Sequence, residues 1–243
     1  MITRIFIIVL LWCATPALAN EAQIRKVLEP KLGGAKIEGV QPSPIAGLWE
    51  VWFRTERGMR LVYTDANANY LIDGNIHDVR RAMQDVTEER LRKLNAIKFE
   101  SLPLDLAVKV QRGNGKRVLA MFSDPYCPAC RQFERVLAQV DDVTIHIFMY
   151  PVIRPENADH SRAVWCSADR AKAWLELAAQ ARPKVPAAGT SCANPVDKVV
   201  ELGHKLGVNS TPTLILANGE RVSGGLQPDD LKDLLDRTAA ARR

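Results

Sequence analysis

The chain has 243 residues, long enough for one large or two modest domains, each with a core. Hydrophobic residues make up 47%, an ordinary share for a globular protein, which excludes a disordered chain. The net charge is +5, but Lys and Arg are interleaved with acids along most of the chain, as on a solvated surface. No nucleic-acid partner is read from it, and the terminal Arg242-Arg243 pair reads as an exposed tail.

Residues 1–19 carry one basic residue, Arg4, an apolar stretch from Ile5 to Cys13, Thr15-Pro16, and the small-residue ending Ala17-Leu18-Ala19. This pattern predicts a secretory signal peptide cleaved after Ala19. Its apolar stretch falls short of the roughly 20 residues that span a bilayer, and no later segment supplies such a span, so a soluble exported protein is expected. Cys13 leaves with the signal. Cys127, Cys130, Cys166 and Cys192 remain, an even number in an oxidising compartment, and two bridges are the default reading.

Glu21 to Leu32 has helical spacing and stops at Gly33-Gly34. Strand patterns follow at Lys36 to Val40, Leu48 to Arg54, Met59 to Thr64 and Asn69 to Ile72, punctuated by Gln41-Pro42-Ser43-Pro44, Glu56-Arg57-Gly58, Asp65-Ala66-Asn67-Ala68 and Asp73-Gly74-Asn75. One helix and a small antiparallel meander, residues 20–82, have little core of their own. Packing against a second copy would cover an otherwise exposed edge strand. Val86 to Ile97, rich in Glu, Arg, Leu and Lys, predicts a helix within a linker over residues 83–103. In residues 104–243, apolar strands (Arg117 to Phe122, Val143 to Tyr150, Thr213 to Ala217) alternate with helical stretches (Arg131 to Gln139, Ala168 to Ala181, Pro195 to Leu206), the pattern of an α/β domain.

Cys127-Pro128-Ala129-Cys130 follows the first apolar strand and opens a helix. That placement puts the Cys127 sulfur at a helix N-terminus, where free backbone N–H groups and the helix dipole favour a thiolate nucleophile. Pro128 suits the first helical turn. Cys130, one turn on, is placed to resolve a mixed disulfide. Two other readings compete: half of a structural zinc site, and an inert staple. Zinc needs a second closely spaced pair, whereas His77, His146, His160 and His204 are scattered, so neither metal nor cofactor is expected. A strand-to-helix placement with Pro inside is more than a staple requires. Ser210-Thr211-Pro212-Thr213 precedes the last apolar strand, where an X-Pro bond can be cis. Facing the Cys pair, Thr211 would offer backbone groups to an extended peptide. A bridge between Cys166 and Cys192 reads as structural, with a second redox-active pair as the alternative.

Three stretches carry a resemblance: Phe122 to Cys130, Ala163-Val164-Trp165-Cys166-Ser167-Ala168-Asp169, and Leu206 to Thr213. With Gln41 to Leu48 and Leu71 to Asn75 they resemble the DsbC/DsbG group of periplasmic disulfide isomerases. The resemblance implies an α+β and α/β chain: a thioredoxin-fold catalytic domain preceded by a small cystatin-like dimerisation domain and a linker helix, assembled as a V-shaped homodimer. It implies Cys127 as the attacking thiol, Cys130 as its partner, Pro128, Ala129, Thr211 and Pro212 beside the substrate, Cys166–Cys192 as a structural disulfide, and Gly74 in the dimerising segment. It further implies misfolded or disulfide-bonded exported proteins as substrates and a DsbD-like membrane reductase as electron donor. The Pro-Ala dipeptide departs from the Gly-Tyr typical of DsbC and half matches the Pro-Tyr typical of DsbG. Isomerisation of wrong disulfides is the leading expectation from the resemblance. Reduction of sulfenylated cysteines, net oxidation by a monomer, which the N-terminal meander speaks against, and a thiol-independent holdase stand beside it.

Overall fold

The computed structural model describes residues 16–55, 58–179, 189–224 and 226–240, so most of the expected signal peptide lies outside the described residues. The chain divides into two compact units, with the division between Leu91 and Arg92.

In the first unit, helix α1 (Pro16–Leu28) begins before the expected cleavage point and ends in a 3-10 turn, Glu29–Lys31. The early start has a local cause, since Pro16 suits a first turn and Ala17, Leu18 and Ala19 are good helix formers. Strands β1 (Ile37–Pro42), β2 (Leu48–Thr55), β3 (Gly58–Asp65) and β4 (Leu71–Ile72) form an antiparallel meander in that order. Ile24 and Leu28, one turn apart on α1, bury against Ile37, Trp49, Val51, Phe53 and Val62 of the sheet. At the bulge in β1, Gly39 leaves room for the Trp52 ring, which any side chain there would strike. The turn after β3 closes on one carboxylate: Asp65 accepts from the backbone N–H of Asn67, Asn69 and Tyr70 at 2.9–3.0 Å. Two short strands, β5 (His77–Asp78) and β6 (Gln84–Asp85), pair before helix α2 (Val86–Leu94).

Helix α2 is shorter than the sequence predicts. It stops at Leu94 because the next residues have other partners: Ile97 N–H donates to Gly219 O at 2.9 Å, and Phe99–Ser101 and Leu104–Leu106 form separate 3-10 turns on either side of Pro103.

The second unit is built on a five-stranded sheet. Strands β7 (Val108–Arg112), β8 (Arg117–Ser123), β9 (Val143–Met149), β10 (Thr213–Leu216) and β11 (Arg221–Ser223) stand in the order β11-β10-β8-β9-β7. Only β8 and β9 are parallel, joined through helix α3 (Pro128–Leu137). The unit also holds helices α4 (Asp159–Cys166), α5 (Arg170–Ala179), α6 (Val196–Lys205) and α7 (Pro228–Ala240). Successive residues of the central strands feed two cores, which is why their sequences read as unbroken apolar runs. Leu119, Met121, Ile145, Ile147 and Leu214 join Phe133, Leu137, Trp174 and Leu231 in one core. Ala120, Phe122, Phe148 and Ile215 join Phe99, Tyr150, Val199 and Val208 in the other. The parallel β8–α3–β9 crossover, with helices over both faces, places the start of α3 at the C-terminal end of the central strand β8, where the cysteine pair sits.

Candidate active site

Strand β8 ends at Ser123, and Asp124-Pro125-Tyr126 turns the chain into α3. Asp124 holds this turn from inside: one carboxylate oxygen accepts from Tyr126 N–H and the other from Ile153 N–H, each at 2.7 Å. Asp124 is fully buried, and burial pushes its carboxyl above the usual range against the pull of the backbone donors. Its carbonyl accepts from Cys127 N–H at 3.1 Å. Cys127 is thereby fixed as the N-cap of α3, with Pro128 in the first helical turn.

The Cys127 sulfur accepts from Cys130 N–H at 3.4 Å and its thiol donates to Thr211 O at 3.3 Å. It thus meets both a helix N-terminal donor and the loop before β10, in which the Thr211–Pro212 bond is cis. Both sulfurs are free thiols in this structure. Both cysteines are buried, Cys130 the more deeply at 2% exposed against 6% for Cys127, and the two residues between them, Pro128 and Ala129, are exposed. Burial pushes the Cys130 thiol up to about 12, reinforced by charge on Cys127 and opposed by the Asp124 backbone and the Ser123 and Thr211 hydroxyls. The two thiols are unequal: Cys127 bonds to a helix N-terminal N–H and to the Thr211 carbonyl, whereas burial disfavours the charged form of Cys130.

Next to Cys127, Tyr126 shares a 2.5 Å hydrogen bond with His160 Nδ1 and stacks on its ring at 5.4 Å. The Arg154 guanidinium lies 5.7 Å from the Tyr126 ring centre. Burial moves His160 down and the Tyr126 phenol up. His160 stands alone in the sequence, and no spacing pattern marks Asp124 or Tyr126 for a role. The one available signal was the polar Ser-Asp-Pro-Tyr stretch between an apolar strand and the cysteines.

Cys166, at the end of α4, is bonded to Cys192 across 26 residues, with Cα atoms 5.6 Å apart. Beside it, Arg170 donates to Trp165 O at 2.8 Å and stacks on the Trp165 ring at 3.8 Å. Among the described residues no cluster of three His, Cys, Asp or Glu side chains is placed to hold a metal ion, and no helix is long and apolar enough to cross a membrane.

Two family models match the chain: a disulfide bond isomerase protein N-terminal domain over residues 15–88 and a thioredoxin-like domain over residues 104–239. A probable thiol:disulfide interchange protein DsbC of Bordetella avium is 37% identical, covering 89% of this chain and 75% of its own length. The thiol:disulfide interchange protein DsbC of Escherichia coli K12 is 29% identical over 90% of this chain and 89% of its own. A crystal structure of a disulfide interchange protein from Neisseria gonorrhoeae is 38% identical, with a TM-score of 0.53, covering 57% of this chain and 99% of that one.

Proposed function

The chain belongs to the DsbC family of thiol:disulfide interchange proteins, and we propose that in this member Cys127 is the attacking thiol and Cys130 the resolving thiol in the isomerisation of wrong disulfides. The observation that carries this reading is the placement of the Cys127 sulfur between Cys130 N–H and Thr211 O, with Cys130 buried behind it. The Cys127 thiolate attacks one sulfur of a substrate disulfide, forming a mixed disulfide and releasing the other substrate sulfur as a thiolate. That thiolate, or another in the substrate, attacks elsewhere in the substrate and reshuffles it, and Cys127 is displaced with no net oxidation or reduction. When reshuffling stalls, Cys130 attacks Cys127, the pair is oxidised and the substrate leaves reduced. Thr211 and Pro212, with the exposed Pro128 and Ala129, line the path of the substrate chain.

The wider setting belongs to the same proposal. The chain is exported to the periplasm with its signal removed after Ala19, acts on disulfide-bonded exported proteins, and is returned to the reduced state by a DsbD-like membrane reductase. It works as a homodimer through the first unit, where Tyr70, Leu71, Ile72, Val79 and Met83 are exposed and β4 is an edge strand.

The test is recovery of activity from a scrambled disulfide-rich protein in glutathione buffer. Recovery is expected with the wild type and lost with Cys127→Ala. Aggregation suppression that survives a Cys127→Ala/Cys130→Ala double variant would reveal a holding role independent of thiols. Isomerisation that survives it would overturn the assignment of the pair.

A further inference from the structure

Ser123 is the last residue of β8 and is fully buried, yet its hydroxyl has no hydrogen-bond partner of ordinary geometry. Its backbone is fixed on both sides: Ser123 pairs with Met149 in the parallel ladder, and its carbonyl accepts from Tyr150 N–H at 2.8 Å. Thr211, on the loop across the site, has a buried hydroxyl in the same condition. Thr213, two residues on, differs: its hydroxyl donates to Ser210 O at 2.6 Å. Buried hydroxyls are normally paired, so two orphans in one place need a reason. Both neighbour the buried Cys130, and hydrogen bonds from them would favour its thiolate.

Neutral Cys130 suits the resting enzyme, because a thiol cannot attack the mixed disulfide and the substrate has time to rearrange. Release needs the thiolate. Once Cys127 is bonded to substrate it carries no charge, so its repulsion of a Cys130 thiolate is gone. What then favours the anion is the Asp124 backbone and the two hydroxyls.

We propose that Ser123 is a hydrogen-bond donor to the Cys130 thiolate during release, and that it sets how long a substrate stays on Cys127 before it is let go reduced. The inference rests on the assignment of Cys127 as attacking and Cys130 as resolving thiol. In the step concerned, Cys130 loses its proton and its sulfur attacks Cys127 Sγ. The Cys127–Cys130 bond forms, the Cys127–substrate bond breaks, and the substrate leaves as a thiolate that takes up a proton, matching the one given up. The enzyme pair loses two electrons and the substrate disulfide has gained two. The orphaned hydroxyl of the resting state is thus a donor whose partner appears only when Cys130 ionises, the condition for assisting that step.

The experiment uses the full mature chain and a short peptide with one intramolecular disulfide. Capture is followed as the Cys127 adduct that accumulates in a Cys130→Ala background, and release by rapid acid quench between about pH 6 and 9. Ser123→Ala should capture at the wild-type rate, release about tenfold more slowly, as expected for loss of a hydrogen bond to an ionised group, and shift its release profile to higher pH. Ser123→Thr, which restores a hydroxyl, should recover release. Unchanged release in Ser123→Ala overturns the proposal, as does slower release with an unmoved pH profile, which a packing defect alone would give. Failure of the Cys130→Ala background to accumulate a Cys127 adduct is a separate result: it removes the pair assignment, and the proposal with it.

Discussion

Trp174 Nε1 donates a 2.7 Å hydrogen bond to Glu134 Oε1 inside the core between α3 and α5. Glu134 is a carboxyl on the cysteine-bearing helix, buried among apolar side chains, with Arg112 as its only nearby charge among the interactions described. Burial pushes its pKa up, and the Trp174 bond and Arg112 oppose that without cancelling it.

The sign of the pH effect follows. With the folded pKa above the unfolded one, the folded state holds the proton more tightly, so stability falls as pH rises from the usual glutamate value through the folded one. Glu134→Gln removes this penalty while leaving an acceptor for Trp174. Its stability relative to wild type should rise from pH 5 to pH 8, read as denaturant midpoints at both. A constant difference would mean that Glu134 does not titrate in that window. Trp174→Phe, which leaves the carboxyl without its donor, should destabilise by about 1–3 kcal/mol.

His160 has the opposite sign. Burial holds its pKa below the usual 6.5, with Asp159 pulling the other way, so the folded state resists protonation. Its penalty is absent above the unfolded value and grows as pH falls through it. Since His160 bonds to Tyr126, the residue before Cys127, acid should loosen the cysteine-bearing turn. His160→Gln should flatten the loss of stability expected of the wild type between pH 6.5 and 5, read by thermal melts at half-unit steps.

The Cys166–Cys192 bond closes 26 residues, which on the chain-entropy model stabilises by about 3.5 kcal/mol. A Cys166→Ser/Cys192→Ser variant should lose stability on that order in urea yet keep isomerase activity where it remains folded. Loss of activity in a folded variant would instead make this pair part of the redox chemistry.

What the sequence conveyed, and what it did not, divides along physical lines. Strands β8, β9 and β10 are buried on both faces and show as apolar runs. The meander was visible through the turn residues between its strands, since Asp65-Ala66-Asn67-Ala68 carries its own turn chemistry. Edge strands β7 and β11 were missed: β7 is five residues with alternate side chains in solvent, and β11 is three residues without a pattern. Helices α4 and α7 lie outside the stretches that the sequence pattern marks as helical, and α2 ends before its pattern does because Ile97 bonds to Gly219, far along the chain. Cys127, Cys130, Thr211 and Pro212 stood out by local spacing. Ser123, Asp124 and the Tyr126–His160 pair did not, since their roles depend on neighbours 7 to 34 residues away that only the fold supplies.

The last prediction concerns the edge of the first unit. Leu71 and Ile72 form the two-residue strand β4, paired only with β3, and they are 45% and 48% exposed with Tyr70 beside them at 77%. Apolar side chains on an unpaired strand edge are costly in water unless a second surface covers them. Charges there, as in Leu71→Asp/Ile72→Asp, should leave each unit folded, because neither side chain belongs to the core that α1 builds on this sheet. Light scattering should then report a monomer where a dimer is expected of the wild type. Reduction of a small peptide disulfide, which needs only Cys127 and Cys130, should continue at the wild-type rate. Recovery of a scrambled protein should fall severalfold, because in the proposed dimer a substrate has two cysteine pairs within reach and a monomer offers one. A variant that stays dimeric would move the interface to another part of the first unit, and a monomeric wild type would remove the dimer from the proposed mechanism.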